Sequence, residues 1–312
     1  MKIAYLLFAY KNPKLIQRTI ECLADEDCSF FVHIDAKIDI AQFASIRSNN
    51  VHFTNRRILV GWAEFSGVEA ILLLIREALA APQHHDYFVL LSGSEYPVRS
   101  REYIQKFLQK NRGQEFITMS KMPAPGKPLS RINTLRYPTS RPVLRFLFRV
   151  LAKFGLAQRD YRKHLGGLEP YAGITWWTLS REACQYVVDF KERDQILIKF
   201  LENTFAPEES YIHTVLGNSP FKQRARRNLL FEDWTPREKG KTLTAQWHAL
   251  PALIDEAHCE FFESKEEVTV DDLHGPGEML FARKFSDDHN LHLIPRIDEM
   301  IQRKEREKAT VS

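Results

Sequence analysis

Hydrophobic and polar residues follow two different periods along the first 120 residues of the chain. Continuous apolar runs such as KIAYLLFAY (2–10) and SFFVHIDAK (29–37) have the length and composition of buried β-strands. The stretches between them carry apolar residues three and four positions apart, which is the spacing of one helical face. This alternation predicts an α/β fold with an open central sheet.

Four strands and three helices are expected before residue 111. The strand segments are KIAYLLFAY (2–10), SFFVHIDAK (29–37), VHFTN (51–55) and DYFVLLSGSEYPV (86–98). The helical segments are NPKLIQRTIECLA (12–24), FSGVEAILLLIREALA (65–80) and REYIQKFLQK (101–110). Asn12 is the predicted N-cap of the first helix, with Pro13 in its first turn. Ser66 followed by Glu69 predicts a capping box for the second helix.

The pattern loosens after residue 120. Residues 121–142 are rich in proline, glycine and basic residues and predict a long loop of the kind that covers binding sites. A basic amphipathic helix is expected over 141–159, and an aromatic strand that turns into a helix over 171–190. The chain ends in a charged segment that favours a terminal helix.

Composition narrows the class of protein. A chain of 312 residues with 44% hydrophobic and 27% charged residues is long enough to bury a full core. The formal charge of +4 suits an anionic ligand such as a nucleotide, and without a dense block of Lys and Arg we expect no nucleic-acid partner. The four cysteines have no zinc-site spacing. Because no run of about 18 apolar residues is present, we expect a cytoplasmic protein that can touch an anionic membrane through 141–159.

Ligands of open α/β sheets bind beyond the carboxyl ends of the strands, so the polar residues there are the first candidates. His33 and Asp35 end the second strand and point to the same side of it. Asp35 can accept hydrogen bonds from a uracil or a ribose, although a turn-capping aspartate beside a core histidine has the same pattern. Ser92, Gly93 and Glu95 form a turn where a backbone can approach a ligand closely.

Glu208 and Glu209 follow Pro207, which fits the first position of a helix. The helix dipole favours carboxylates there, so an ordinary helix start explains both residues. The same field keeps a carboxylate ionised near neutral pH, as a general base requires. Since successive helical residues diverge by about 100°, only one of the two can face a given site.

A metal site is not expected, because the single Asp-x-Asp, Asp25 to Asp27, precedes a strand instead of following one. Cations must then hold any bound phosphates. The candidates are Lys241, Arg283 and Lys284.

Six segments occur in one order over residues 2–286 and resemble the core-2/I-branching enzyme family of glycosyltransferases, which also contains the peptide O-xylosyltransferases. They are FVHIDAK, FSGVEAILLLIREAL, DYFVLLSGSEYPV, GITWWTLSREACQYV, PEESYIHTVLGNSPF and LFARKF. The resemblance implies a GT-A-type, Rossmann-like fold with a mixed central sheet flanked by helices. It also implies transfer of a sugar, GlcNAc or xylose, from a UDP donor with inversion and without a bound metal.

The resemblance also assigns roles to individual residues. Glu209 matches the catalytic base, and Glu208 becomes its exposed structural partner. The nucleotide-sugar-binding residues are His33, Asp35, Ser92, Gly93, Glu95, Lys241, Arg283 and Lys284. The acceptor-binding residues are Arg131, Tyr137 and Trp234. Trp176 and Trp177 are both expected in the core. The chain differs from the animal enzymes in lacking their cysteine framework and in an insertion-like stretch over 241–280.

We therefore expect a single domain over 1–312, with a nucleotide-sugar-binding half (1–120), an acceptor-binding and catalytic half (121–300) and a charged tail (301–312). The expected product is a bacterial surface polysaccharide, made at the inner face of the membrane. Transfer of xylose to a protein is an alternative within enzymes. A non-catalytic module that binds a nucleotide-sugar or a glycan is the alternative outside them.

Overall fold

The structure, a computed structural model, describes residues 1–136, 142–234, 251–272 and 274–311. Two predicted site residues, Tyr137 and Lys241, lie outside the described residues. The strands are β1 (Ile3–Ala9), β2 (Cys28–Ile34), β3 (Val51–Phe53), β4 (Tyr87–Leu91), β5 (Glu95–Pro97), β6 (Glu115–Phe116), β7 (Met119–Lys121), β8 (Tyr171–Gly173), β9 (Thr178–Ser180), β10 (Ala225–Arg226), β11 (Leu230–Glu232), β12 (Thr269–Asp272), β13 (Gly275–Glu278) and β14 (Phe281–Arg283). The helices are α1 (Pro13–Leu23), α2 (Phe65–Ala80), α3 (Arg101–Lys110), α4 (Ser130–Asn133), α5 (Pro142–Lys153), α6 (Arg181–Arg193), α7 (Gln195–Leu201), α8 (Tyr211–Gly217), α9 (Glu256–Ser264) and α10 (Ile294–Val311).

A seven-stranded sheet in the order β10-β6-β9-β4-β1-β2-β3 forms the centre of the fold. Strands β1 to β4 run parallel to one another, whereas β9 is antiparallel to both β4 and β6. The predicted α/β architecture with a mixed central sheet flanked by helices is therefore confirmed.

The central strands are apolar on both faces because helices cover both faces. Leu72 and Ile75 of α2 pack against one face together with Phe88 of β4. On the other face, Ile16 of α1 and Leu108 of α3 belong to a second apolar cluster with residues of β1 and β2. The continuous apolar runs in the sequence are the signature of such doubly covered parallel strands.

A smaller sheet in the order β11-β14-β5 stands at the carboxyl end of β4. Strand β14 is parallel to β11 and antiparallel to β5, and its register pairs Arg283 with Glu95 on one side and with Glu232 on the other. The turn from β4 into β5 contains Gly93 with φ +78°, where a Cβ would lie 2.7 Å from Cδ1 of Ile16. A side chain at this position is therefore excluded by both backbone conformation and space.

Of the two predicted helix starts, that of α1 is confirmed in position and that of α2 is wrong. Asn12 is at the N-cap position of α1, but its φ is +60° and its side chain donates to the carbonyl of Gly93 (3.0 Å) instead of capping the helix. The capping box of Ser66 and Glu69 is wrong: α2 begins at Phe65, and the Ser66 hydroxyl accepts from the backbone N–H of Gly61 at 2.9 Å. The side chains of Asn12 and Ser66 bond to the backbone of other loops near the edge of the sheet. The residue pattern around each helix start gives no sign of these contacts.

The segment after residue 120 contains more order than a long loop. Helix α4 lies within it, and α5 ends at Lys153, short of the predicted 159. The predicted aromatic strand is two strands, β8 and β9, that belong to different sheets. Within the described ranges, no helix combines the length and apolarity needed to cross a bilayer.

Candidate active site

The two glutamates occupy a tight turn instead of the first turn of an α-helix. Pro207 to Glu209 form a single 3-10 turn ahead of α8. The preceding Ala206 has φ +48°, and its N–H donates to the carbonyl of Ala63 (3.2 Å), itself at φ +56°. Each left-handed non-glycine residue costs on the order of 1 kcal/mol, and such residues concentrate at functional sites. The surrounding contacts therefore hold this turn in a costly conformation.

Glu209 is held by two cations, one from the loop between β7 and α4 and the other from α4 itself. The Lys127 ammonium and the Arg131 guanidinium both donate to its Oε2. Burial acts to raise its pKa, but these two cations outweigh burial and leave the pKa of Glu209 below its ordinary value. Its side chain keeps 30% exposure, and Oε1 makes no hydrogen bond to any described residue. Glu209 is thus an ionised carboxylate with one oxygen available.

Arg131, predicted to contact the acceptor, is placed by the structure against Glu209, with its guanidinium 5.1 Å from the ring of Phe205. Lys127 was missed by the sequence reasoning. It stands in a basic proline-rich loop without periodicity, so no local signal distinguishes it from the other cations there.

Glu208 is not the exposed partner that was predicted. Its Oε2 is buried and has no hydrogen-bond partner within the described part of the chain. Burial, and after it the adjacent charge of Glu209, raises the pKa of Glu208 to about 8. The prediction failed because it assumed α-helical geometry, in which one of two successive residues points to solvent.

A second cluster surrounds Arg283. Its Nη1 lies 2.7 Å from Oε1 of Glu95, and its Nε lies 3.2 Å from Oε1 of Glu232. The ring of Trp176 covers the guanidinium at 4.9 Å. Trp176 is half-buried: it packs against the two central apolar clusters as well as against Arg283, so the prediction of a core position holds only in part. Trp177 is in the core, as predicted. Glu232 was missed, since a lone glutamate in a three-residue strand carries no signal.

Glu95 uses its carboxylate entirely within the protein. Besides Arg283, it accepts from the Ser92 hydroxyl (2.7 Å) and from the backbone N–H groups of Ser92 and Ser94. The predicted residues Ser92, Gly93 and Glu95 therefore lie together, with Glu95 stabilising the turn. Arg283 is neutralised locally, so its role toward a phosphate is weaker than its sequence position suggested.

Lys284, the next residue, is different. It is buried, and its ammonium makes no hydrogen bond or ion pair with another residue of the described ranges. Burial, and then the like charges of Lys11 and Arg283, lower its pKa to about 8. Lys11 at the end of β1 was not predicted as a site residue. These cations form an electropositive position at the sheet edge that suits a diphosphate.

His33 and Asp35 lie at the carboxyl end of β2, as predicted. The His33 ring is fully buried, its Nε2 accepts from the N–H of Ile58 at 2.9 Å, and burial lowers its pKa to about 4. His33 thus supports a loop, which corrects its assignment to ligand contact. Asp35 accepts from the N–H groups of Lys37 (3.0 Å) and Val60 (3.3 Å), so it shapes the turn beside it.

Trp234 follows β11 with a ring that is half exposed, and its side chain hydrogen-bonds Glu232. The negative charges of Glu95 and Glu209 both raise the pKa of Glu232 after burial, the main cause, and against the effect of Arg283. The charge of Glu209 therefore reaches the Arg283 cluster through Glu232.

The described part of the insertion-like stretch forms α9 and the hairpin of β12 and β13. Arg227 clamps the hairpin through two bonds to the Asp272 carboxylate, both 2.8 Å long. Burial lowers the pKa of His274 at its tip, and the charge of Lys127 contributes to that shift. The charge of Lys127 therefore reaches the tip of this hairpin.

No group of three or more metal-binding side chains is found in the ranges that the structure describes. Asp25 and Asp27 lie in the turn before β2, at the opposite end of the sheet from the site.

A comparison with protein families gives one match, to the family described as Core-2/I-Branching enzyme, over residues 3–258. The match covers most of the chain, including Glu209. The chain belongs to the core-2/I-branching enzyme family of glycosyltransferases.

Similar curated proteins of this family are xylosyltransferases. Xylosyltransferase 2 and xylosyltransferase 1 of Rattus norvegicus and xylosyltransferase 2 of Homo sapiens are each 25% identical to this chain over 96% of its length. The chain spans about a third of the length of these relatives (33%, 35% and 33%). Among solved structures, apo mouse xyloside xylosyltransferase 1 gives a TM-score of 0.34 at 12% identity, covering 80% of this chain and 94% of that one.

Arg283 is expected to be a major contributor to stability. The variant Arg283→Leu leaves the buried carboxylates of Glu95 and Glu232 without their cation, which costs about 3 to 5 kcal/mol when one partner of a buried pair is removed. Urea unfolding measures the loss. Arg18, which is half exposed and paired with Asp298, is the control: Arg18→Leu should cost less than about 1 kcal/mol. Equal losses in the two variants would contradict the structural role of Arg283.

Proposed function

We propose that this chain is a metal-independent inverting glycosyltransferase of GT-A type that moves a sugar from a UDP-sugar to a hydroxyl group of a glycan acceptor. The observation that carries the proposal is Glu209, an ionised carboxylate whose Oε2 is fixed by two cations and whose Oε1 has no hydrogen-bond partner among residues 1–136, 142–234, 251–272 and 274–311. A positioned carboxylate of this kind is what a general base requires.

In the proposed reaction, Oε1 of Glu209 takes the proton of the acceptor hydroxyl. The hydroxyl oxygen forms the new bond to the anomeric carbon while the bond from that carbon to the UDP oxygen breaks. Attack opposite the leaving group inverts the configuration. UDP leaves with the bonding electron pair, and the acceptor proton remains on Glu209 until solvent removes it.

Lys284 and Lys11 are the residues proposed to stabilise the charge that develops on the departing diphosphate. Because Lys284 is buried and has no carboxylate of its own among the described residues, its charge is available to a ligand. Fixed cations aimed at developing charge in a partly dry site are an effective source of catalysis. Arg283 assists by positioning Lys284 and the Ser92–Glu95 turn.

The donor sugar is proposed to be GlcNAc or xylose, and the names of the relatives favour xylose. For the same reason, transfer of xylose to a protein is the second candidate. We favour a glycan acceptor in bacterial surface polysaccharide synthesis. A non-catalytic binding module is disfavoured because it has no use for a strained turn that presents an ionised carboxylate beside two cations.

Peripheral contact with an anionic membrane at its inner face is part of the proposal. Five large apolar side chains on α5 and just after it are exposed: Val143, Phe146, Leu147, Phe154 and Leu156. Arg149 and Lys153 of the same helix are exposed cations. The segment that follows α5 is joined to the segment that follows α4, because the N–H of Leu135 donates to the carbonyl of Ala157 at 2.8 Å. A membrane bound by α5 would therefore lie near the loop that holds Arg131.

Glu209→Gln is expected to reduce kcat by at least about a hundredfold, the scale for a lost general base. Donor binding, measured by calorimetry, should persist, because the variant keeps the shape of the side chain. The exposed Glu202 provides the matched control, Glu202→Gln, with activity like that of the wild type. Activity of Glu209→Gln within a fewfold of the wild type would remove the proposed base.

UDP and one UDP-sugar should raise the melting temperature, and added EDTA should not change this. Diphosphate binding favours charged Lys284, whose pKa is about 8 without ligand. Affinity should therefore fall between pH 7 and pH 9, with proton uptake on binding.

The same titration calorimetry tests the residue assignment. Lys284→Ala should weaken UDP binding, Lys284→Arg should flatten the pH dependence, and Lys14→Ala, a change at an exposed lysine nearby, should do neither. A large EDTA effect would contradict metal independence, and a panel of UDP-sugars without any response would favour another nucleotide.

The membrane contact predicts that the wild type sediments with vesicles containing phosphatidylglycerol but not with purely zwitterionic vesicles. Phe146→Ser combined with Phe154→Ser should abolish sedimentation, because both exposed rings are lost. Ile196→Ser, a change at an exposed apolar residue of α7, is the control and should leave binding intact. Absence of wild-type binding to either vesicle would dismiss the contact.

A further inference from the structure

Two adjacent carboxylates share one turn with two cations, yet the cations are not divided between them. Lys127 and Arg131 both bond to Oε2 of Glu209, and no described cation bonds to Glu208. Two ionised carboxylates so close together would compete for these cations. The one-sided arrangement indicates that only one of the pair carries a charge.

The surroundings of Glu208 are those of a neutral acid. Its Oε2 is buried and has no partner among the residues described. On the other side it lies against α2 at Gly67, where a Cβ would stand 3.8 to 3.9 Å from the Cβ, Cδ and Oε2 atoms of Glu208. That contact supplies no charge. An unpaired buried carboxylate is strongly disfavoured, whereas its protonated form is tolerated.

We propose that Glu208 works as a neutral carboxylic acid that keeps Lys127 and Arg131 on Glu209, and that its ionisation sets the alkaline limit of the transfer reaction. Glu208 is a positioning residue in this proposal and exchanges no proton with substrate. The inference rests on the proposed role of Glu209 as the base.

The consequence of ionisation follows from the geometry. A negative Glu208 would attract Arg131 and Lys127, so Oε2 of Glu209 would lose part of its support and Oε1 would no longer be held toward the acceptor. The charged groups whose fields reach Glu208 are Glu209, which raises its pKa, and Arg131 and Lys127, which lower it. The raised pKa of Glu208, about 8, agrees with a neutral working form at pH 7.

The first test is kcat at saturating donor for the wild type and Glu208→Gln between pH 6 and pH 10. A wild type that needs protonated Glu208 should lose about tenfold in kcat from pH 7 to pH 9, as expected for a group with a pKa near 8. Glu208→Gln cannot ionise, so its ratio of kcat at pH 9 to kcat at pH 7 should be near one. Lys284→Arg is the control, because bound diphosphate keeps Lys284 charged, and it should retain the wild-type alkaline loss.

An alkaline loss that is the same in Glu208→Gln and the wild type would overturn the inference. So would a wild type without an alkaline loss. Either result, with Glu209→Gln still inactive, would leave the proposed function standing while removing the role of Glu208.

A second measurement needs no activity. A carboxyl group with a raised pKa in the folded state stabilises the fold below its unfolded pKa and loses that contribution as pH rises toward 8. The melting temperature of Glu208→Gln relative to the wild type should therefore rise from pH 5 to pH 9. A difference that is constant over this range would show that Glu208 is already ionised at pH 5, and would contradict the inference even if the protein transfers no sugar.

Discussion

The ion pairs of Arg283 are the interaction on which the site depends. They exist because β14 lies between β5 and β11 in a register that sets Arg283 beside Glu95 and Glu232. The same register joins the C-terminal part of the chain to the turn that leaves β4, at the carboxyl edge of the central sheet. Because Lys284 directly follows Arg283, it lies at the same edge of the sheet. Without this central cation, the buried carboxylates of Glu95 and Glu232 would repel each other.

Some charged groups at this edge of the sheet are paired with opposite charges of the protein, whereas others have no such partner among the described residues. Arg283 is neutralised by carboxylates and covered by Trp176. It therefore holds neighbouring residues in place and adds little positive electrostatic potential to the site. Lys284 has no such partner among the described residues and keeps its charge for a ligand. Glu209 has Oε2 bonded to two cations, while Oε1 has no hydrogen-bond partner in the described part of the chain. In the proposed reaction, the cationic position would serve the leaving group and the carboxylate of Glu209 the attacking group.

The sequence predicted the local elements better than the pairings between them. Strands β1, β2 and β4 were evident because both of their faces are apolar. Glu209 was selected only through the resemblance to the family motif, since the proline and two acids alone fit an ordinary helix start equally well. Arg283 is separated from Glu95 by 188 positions along the chain. Glu209 is separated from Arg131 by 78 positions and from Lys127 by 82, so only the tertiary structure brings these partners together. Period-two alternation separates Trp176 from Trp177 but does not say which side faces the site. Glu208 was misplaced because a 3-10 turn directs successive side chains differently from an α-helix.

A base whose pKa is lowered by two cations is a weaker base, and this raises the question of how it could activate a hydroxyl. The answer lies in the timing of proton transfer in the proposed displacement. A sugar hydroxyl is hardly acidic before attack, but its proton becomes strongly acidic as the oxygen bonds to the anomeric carbon and gains positive charge. The base therefore needs to be ionised and correctly placed more than it needs to be strong. Two cations on Oε2 provide both conditions, since they keep Glu209 charged in essentially every molecule near pH 7 and restrict the orientation of Oε1.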